Sequence, residues 1–135
     1  MLRRLDDTTL VSGQISADEL AGLAGQGVTM IVNHRPDGEE PGQPPSATIQ
    51  HAAEQLGIEY RHNPLIRGIG PADVEVMREA IRDCGDGKLL VYCRSGTRST
   101  LAWALAHAED GVPRDELERS AAAAGVDLTP IAHLL

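Results

Sequence analysis

Phenylalanine is missing from this chain of 135 residues, and aromatic residues amount to 2% of it. A core must therefore be filled by Leu, Ile, Val and Ala, with Trp103, Tyr60 and Tyr92 as exceptions. The hydrophobic share of 41% is sufficient for that. Lysine is nearly missing as well. Lys88 is the one lysine among 12 basic residues, which face 20 acidic ones for a net charge of −8. Such an excess of negative charge argues against general nucleic-acid binding and against attachment to anionic membranes. No apolar run approaches the ~20 residues of a membrane helix. The opening Met1-Leu2-Arg3-Arg4-Leu5-Asp6-Asp7 lacks the apolar segment of a signal peptide. The cysteines are two, Cys84 and Cys93, so a reduced, cytoplasmic setting is expected. The histidines His34, His51, His62, His107 and His133 show no metal-ligand spacing. No metal and no cofactor are expected. A chain of this length suits one domain, 1–135, with one core.

What is present is an alternation of short apolar runs with helical patterns. Strands are predicted at 9–11, 28–33, 58–63 and 89–92. Ser16-Ala17-Asp18-Glu19 reads as a capping box opening a helix through Ala24. Further helices are predicted at 46–56, 71–84, 99–108, 113–124 and 129–134. Pro71 suits the first turn of its helix, and Val74, Met77 and Ile81 give that helix an apolar stripe. Strands separated by helices imply parallel pairing with right-handed crossovers. The fold class is therefore α/β: a central, mostly parallel sheet of about four strands flanked by helices. Ligands of such sheets bind at the carboxyl ends of the strands. That places His34-Arg35, the 61–70 segment and Cys93 on one edge.

The run Leu89-Leu90-Val91-Tyr92-Cys93-Arg94-Ser95-Gly96-Thr97-Arg98-Ser99 is the most informative. An aliphatic strand ends on a cysteine, and an arginine follows five residues later with a glycine between. Backbone N–H groups of such a turn, and those of the helix behind it, converge on an anion. Gly96 allows backbone conformations that a Cβ would forbid. Arg98 offers a planar fork to two oxygens of an oxyanion. The same positive surroundings favour the thiolate. Cys93 is thus the expected nucleophile and Arg98 its catalytic partner. Arg94, Ser95, Gly96, Thr97 and Ser99 are expected around the anion, with the Thr97 or Ser99 hydroxyl as a donor to sulfur or anion. Arg35, Asp37 and Arg67 are candidates for the pocket border, and Arg35 is also suited to pair with a carboxylate and pin its loop. Cys84, at a helix end before Gly85, reads as a packed small residue.

The Cys93 loop resembles the active loops of single-domain rhodaneses and of protein tyrosine phosphatase-like enzymes. Together with Val11-Ser12-Gly13-Gln14-Ile15 and Ile31-Val32-Asn33-His34-Arg35-Pro36-Asp37-Gly38-Glu39-Glu40-Pro41-Gly42-Gln43, it resembles the bacterial phosphatase-like domains of the beta-lactamase hydrolase-like proteins. The likeness runs from about Leu10 to Ala106. That family is also described as sulfur transferases, some fused to a metallo-beta-lactamase-fold persulfide dioxygenase. The resemblance implies a protein tyrosine phosphatase-like fold.

Two chemistries share Cys93. In sulfur transfer, the thiolate takes the outer sulfur of thiosulfate or a persulfide and passes it to an acceptor thiol, with a persulfide dioxygenase as a candidate partner. In phosphatase chemistry, it attacks a phosphate monoester to give a phosphocysteine that water hydrolyses. An aryl phosphate benefits from a general acid. Related phosphatases place an Asp on the loop after the preceding strand, whereas the segment after Asn63 holds none before Asp73, a helix-start residue. The loop between Cys93 and Arg98 is also one residue shorter than theirs. Sulfur transfer is therefore the expected reaction and phosphate hydrolysis the alternative, with Asp73 the acid in that case. A third reading is a non-catalytic anion-binding or redox-sensing module.

Overall fold

The computed structural model describes residues 2–135. Ten regular elements follow one another: β1 (Arg3–Arg4), β2 (Thr9–Ser12), α1 (Leu20–Gly25), β3 (Val28–Asn33), α2 (Ser46–Gln55), β4 (Glu59–His62), α3 (Pro71–Cys84), β5 (Lys88–Tyr92), α4 (Thr97–Glu109) and α5 (Arg114–Ala123). Single 3-10 turns lie at Ala17–Glu19 and Thr129–Leu134. The sheet has five strands in the order β1-β2-β5-β3-β4, parallel except for β1, which runs antiparallel to β2.

The strand residues face two ways, as the period of two requires. Met30, Val32, Leu89 and Val91 meet Met77, Ala80 and Trp103 on one face of the sheet. Ile31, Leu90 and Tyr92 meet Leu20, Leu23, Ile49 and Ala53 on the other. Both faces are covered by helices, which is why β5, the middle strand, reads as an unbroken apolar run. Burying each such side chain is worth roughly 1.5–3 kcal/mol.

Three departures from the sequence expectation have local causes. β1 consists of two arginines, so no apolar signal marks it; ladder pairing to Val11 and Leu10 holds it. Its turn is fastened to the core by Trp103 Nε1–H donating to Asp6 at 2.9 Å. The sheet is thus mixed and one strand wider than the four expected. α4 starts two residues early, at Thr97, because Gly96 (φ 94°) turns the chain sharply in the left-handed region. Gly96 C=O then accepts the first helical bond, from Thr100 N–H at 3.0 Å. The 129–134 segment is six residues long, too short to gain much from α-helical bonds, and winds as a 3-10 helix in place of an α-helix. The expected capping interaction does form, Ser16 N–H donating to Glu19 Oε1 at 3.1 Å.

Register sets the site. Ser12 lies beside Tyr92, Tyr92 beside Asn33 and Asn33 beside His62. The four parallel strands therefore end level, and Gly13, Cys93, His34 and Asn63 leave the sheet along one edge. His34 N–H donates to Tyr92 C=O at 2.8 Å, and Leu65 N–H to His34 C=O at 2.9 Å. These bonds stitch the loops after β3, β4 and β5 together.

Candidate active site

Cys93 is the first residue past β5 and is fully buried. The loop from Cys93 to Arg98 wraps back over it, and Gly96 N–H donates to Cys93 Sγ at 3.1 Å. A main-chain donor aimed at sulfur is the arrangement that stabilises a thiolate. The loop is backed closely by the chain leaving β2: a Cβ on Gly13 would stand 2.8 Å from Arg94 C=O. Glycine is required at position 13 for this approach of two backbones.

Arg98 opens from the first turn of α4 toward the loops after β3 and β4. Its Nη1–H donates to Leu65 C=O at 2.9 Å. Glu39 grips the same guanidinium with both oxygens, Oε1 to Nη2 and Oε2 to Nη1, each at 2.9 Å. Of the five N–H donors of an arginine, this leaves Nε–H and one Nη2–H, which lie on one edge as a fork. Burial alone would lower the Arg98 pKa; the bond to Glu39 and the charge of a Cys93 thiolate outweigh it and raise it. Arg98 is a permanent cation. The bond from Arg98, helped by one from Arg35, holds the Glu39 carboxyl below its ordinary pKa against partial burial.

Arg35 is buried, at 3% exposure. Its Nε–H donates to Glu39 Oε1 at 2.9 Å, Nη2–H to Glu40 Oε1 at 2.6 Å and Nη1–H to Gln14 Oε1 at 3.1 Å. This is the carboxylate pin expected of it, and it ties its own loop to the chain after β2. Glu40 also pairs with Arg94 Nε at 3.0 Å, and the Arg94 side chain points outward, 62% exposed. Three arginines and two glutamates thus form one network around the loop, from Arg35 through Glu39 to Arg98 and through Glu40 to Arg94.

The other expected site residues divide. Ser99 is fully buried and its Oγ lies 2.7 Å from His34 Nδ1. Thr97 Oγ1 accepts from Ser95 Oγ–H at 3.1 Å. Among the described residues, neither the Thr97 nor the Ser99 hydroxyl is hydrogen-bonded to sulfur; the backbone of Gly96 has that role. Asp37 is engaged by its own loop: its Oδ1 accepts Ser46 N–H at 2.7 Å and caps α2. Arg67 is exposed in the loop after β4 and has no ion-pair partner among the described residues. Asp73 caps α3, Oδ2 accepting Gly70 N–H at 2.8 Å and Oδ1 accepting Asn63 Nδ2–H at 3.4 Å. Cys84 Sγ lies 3.6 Å from Thr29 Oγ1, at the far end of α3.

The family model for the beta-lactamase hydrolase-like protein, phosphatase-like domain, matches residues 1–110. The chain belongs to that family. Beta-lactamase hydrolase-like proteins of Xylella fastidiosa (strain Temecula1 / ATCC 700964) and Agrobacterium fabrum (strain C58 / ATCC 33970) are 40% and 32% identical over 126 and 127 residues. Those matches cover 92% and 93% of this chain and 29% of each relative; the chain spans less than a third of their length. A crystal structure from Neisseria meningitidis Z2491, described as a candidate phosphatase, is 38% identical with a TM-score of 0.81, covering 97% of this chain and 94% of its own. The active form of Tk-PTP shares the fold with a TM-score of 0.71 at 22% identity, over 96% of this chain and 88% of its own. The fold is thus protein tyrosine phosphatase-like, and the 93–98 loop is the Cys active-site loop of a phosphatase-like hydrolase family.

Two residues of the phosphatase-like domain escaped sequence reasoning as site residues. Glu39 stands in the 31–43 motif, and its signal was charge alone; a contact with a residue 59 positions away has no periodicity to announce it. His34 is buried beside Arg98. Burial and then the Arg98 charge push its pKa down to about 4, against the opposing charge of Asp73. It is a neutral imidazole at pH 7, and its buried Nε2 has no hydrogen-bond partner among the described residues. No three His, Cys, Asp or Glu side chains gather to hold a metal, and no helix is long and apolar enough to cross a membrane, both among the described residues.

Proposed function

We propose that this domain hydrolyses phosphate monoesters through a phosphocysteine on Cys93. The observation that carries this reading is the loop geometry in a phosphatase-like family: a main-chain N–H on the sulfur at 3.1 Å and an arginine whose free edge is a two-pronged donor. Sγ attacks phosphorus as the thiolate, the phosphorus–oxygen bond breaks, and the leaving alkoxide or phenoxide takes a proton from solvent water. The backbone donors of the loop and the Arg98 fork neutralise the three equatorial oxygens. Water then attacks the phosphocysteine, the sulfur–phosphorus bond breaks, and the thiolate returns. Asp73 is spent on capping α3, so aryl esters, whose leaving groups need least protonation, suit the site best.

Sulfur transfer is the second reading, favoured by the four residues between Cys93 and Arg98 and by the absence of an Asp between Asn63 and Asp73. There the thiolate attacks the outer sulfur of thiosulfate, the sulfur–sulfur bond breaks, sulfite leaves, and Cys93 carries a persulfide. Wild type and Cys93→Ser are assayed in parallel with p-nitrophenyl phosphate and with thiosulfate, and Cys93 is examined by mass spectrometry. Cys93-dependent release of p-nitrophenol is the expected result. A one-sulfur adduct on Cys93 without phosphate release would reverse the order, and turnover surviving in Cys93→Ser would sink the nucleophile assignment. No turnover of either substrate would favour the passive anion-binding module.

A further inference from the structure

The Ser95–Gly96 peptide is hydrogen-bonded at both ends. Its N–H, that of Gly96, donates to Cys93 Sγ at 3.1 Å. Its carbonyl, that of Ser95, accepts Arg3 Nη2–H at 2.6 Å. The peptide is trans, so the arginine and the sulfur stand on opposite edges of one amide plane. Arg3 comes from β1, the edge strand, and its Nη1–H donates to Ala124 C=O at 2.7 Å at the end of α5. Its guanidinium fills the space behind Gly96, where a Cβ would lie 2.3 Å from Nη2.

We propose that Arg3 is a positioning residue for the nucleophile, acting through the Ser95–Gly96 peptide. A cation on the carbonyl pulls electron density from the amide, makes its N–H a stronger donor, and so favours negative charge on the sulfur. The same bond turns Ser95 C=O away from the cradle, which orients the N–H of that plane inward. An anion-binding loop needs every carbonyl facing out, and an unassisted Ser95–Gly96 plane could flip, since Gly96 tolerates both signs of φ. The left-handed Gly96 and the arginine are thus two halves of one device. It serves equally whether the electrophile is phosphorus or sulfur.

The full chain carrying Arg3→Gln is compared with wild type for the rate at which iodoacetamide alkylates Cys93 at pH 6, read by peptide mass mapping. The expected result is alkylation slower by roughly threefold to tenfold, with Arg3→Lys in between. The direction separates this role from a merely structural one. Loosening the loop would expose a fully buried sulfur and speed alkylation, whereas losing the polarised amide slows it. An equal or faster rate in a folded Arg3→Gln protein overturns the proposal. Should that variant not fold, Arg3→Lys carries the test. One ammonium cannot hold Ser95 C=O and Ala124 C=O together, so the Gly96 amide proton resonance should move upfield and alkylation should slow. An unmoved resonance with an unchanged rate overturns it. Neither readout uses a substrate, so its failure is separable from failure of the phosphatase reading.

Discussion

Glu39→Gln separates two opposite roles for the carboxylate that grips Arg98. If Glu39 holds the guanidinium in place, its loss frees Arg98 to swing away from the loop. If it occupies the place of the substrate anion, its loss opens the site. The bonding favours the first. Glu39 sits on the end edge of the guanidinium, Leu65 C=O takes the outer Nη1–H, and Arg35 Nε holds Glu39 from behind at 2.9 Å. The edge bearing Nε–H is left for a bound oxyanion. Gln supplies one acceptor where Glu supplies two. Its carbonyl can keep the place shared by Arg35 and Arg98 Nη2, and its NH₂ then faces Arg98 Nη1, donor against donor. A hydrogen bond to a charged group is worth about 1.5–3 kcal/mol when shielded. Glu39 and Arg98 are 26% and 28% exposed, so the lower part of that range applies. A loss of about 1.4 kcal/mol in transition-state stabilisation is about tenfold in kcat/KM. Initial rates with p-nitrophenyl phosphate, alongside urea denaturation to exclude unfolding, should show that fall. An unchanged kcat/KM would refute the holding role, and a higher one would make Glu39 a competitor of the substrate.

Arg98→Lys should lower kcat/KM about 100-fold or more, because one ammonium cannot serve Glu39, Leu65 C=O and a bidentate oxyanion at once; the same steady-state assay checks it. Gly96→Ala adds a Cβ at φ 94°, 2.3 Å from Arg3 Nη2 and 3.2 Å from Val11 Cγ2. Stability should fall by at least about 1–2 kcal/mol from the left-handed backbone alone, measured by urea denaturation, and Cys93 alkylation should change with it. His34 titrates at about 4 in the fold against 6.5 unfolded, chiefly through burial. A lowered pKa means that the unfolded chain binds the proton first, so this contribution is complete above pH 6.5 and is lost as pH falls toward 4. Between pH 7 and 5 wild type should lose about 2 kcal/mol more stability than His34→Gln; equal pH slopes for the two proteins would contradict this.

The parts of the fold that were legible in the sequence are those governed by neighbours along the chain. The Leu89–Tyr92 run is apolar on both faces because β5 is covered on both sides, and that is visible without coordinates. The level strand ends follow from the α/β topology, and with them the meeting of Cys93, His34 and Arg35. Arg35 was readable as a pin since five residues downstream offered it three carboxylates. What was hidden depends on distance through space. β1 is two charged residues that become a strand only because β2 offers a ladder. Asp37 and Glu39 are both acids in one loop, and nothing in their order tells that one caps α2 while the other grips Arg98. Arg3 reaches Ser95 across 92 positions, through a side chain that the sequence shows only as surface charge.

The placement of charge also bears on how the site selects its ligand. The chain carries −8 overall, so an approaching anion meets a repelling field beyond a Debye length of about 8–10 Å only where salt is low. Within the site, the arginines at 35, 94 and 98 exceed the glutamates at 39 and 40 by a single charge. Attraction by net potential is therefore weak, and on the proposed reading an anion is recognised by directed donors: the Gly96 N–H and one open edge of Arg98. Directed donors discriminate by shape where a positive field does not. A tetrahedral group with several terminal oxygens can fill the backbone cradle and the fork together, and a spherical anion of equal charge cannot. The paired glutamates, which at first sight work against anion binding, are what convert a basic cluster into a geometric one.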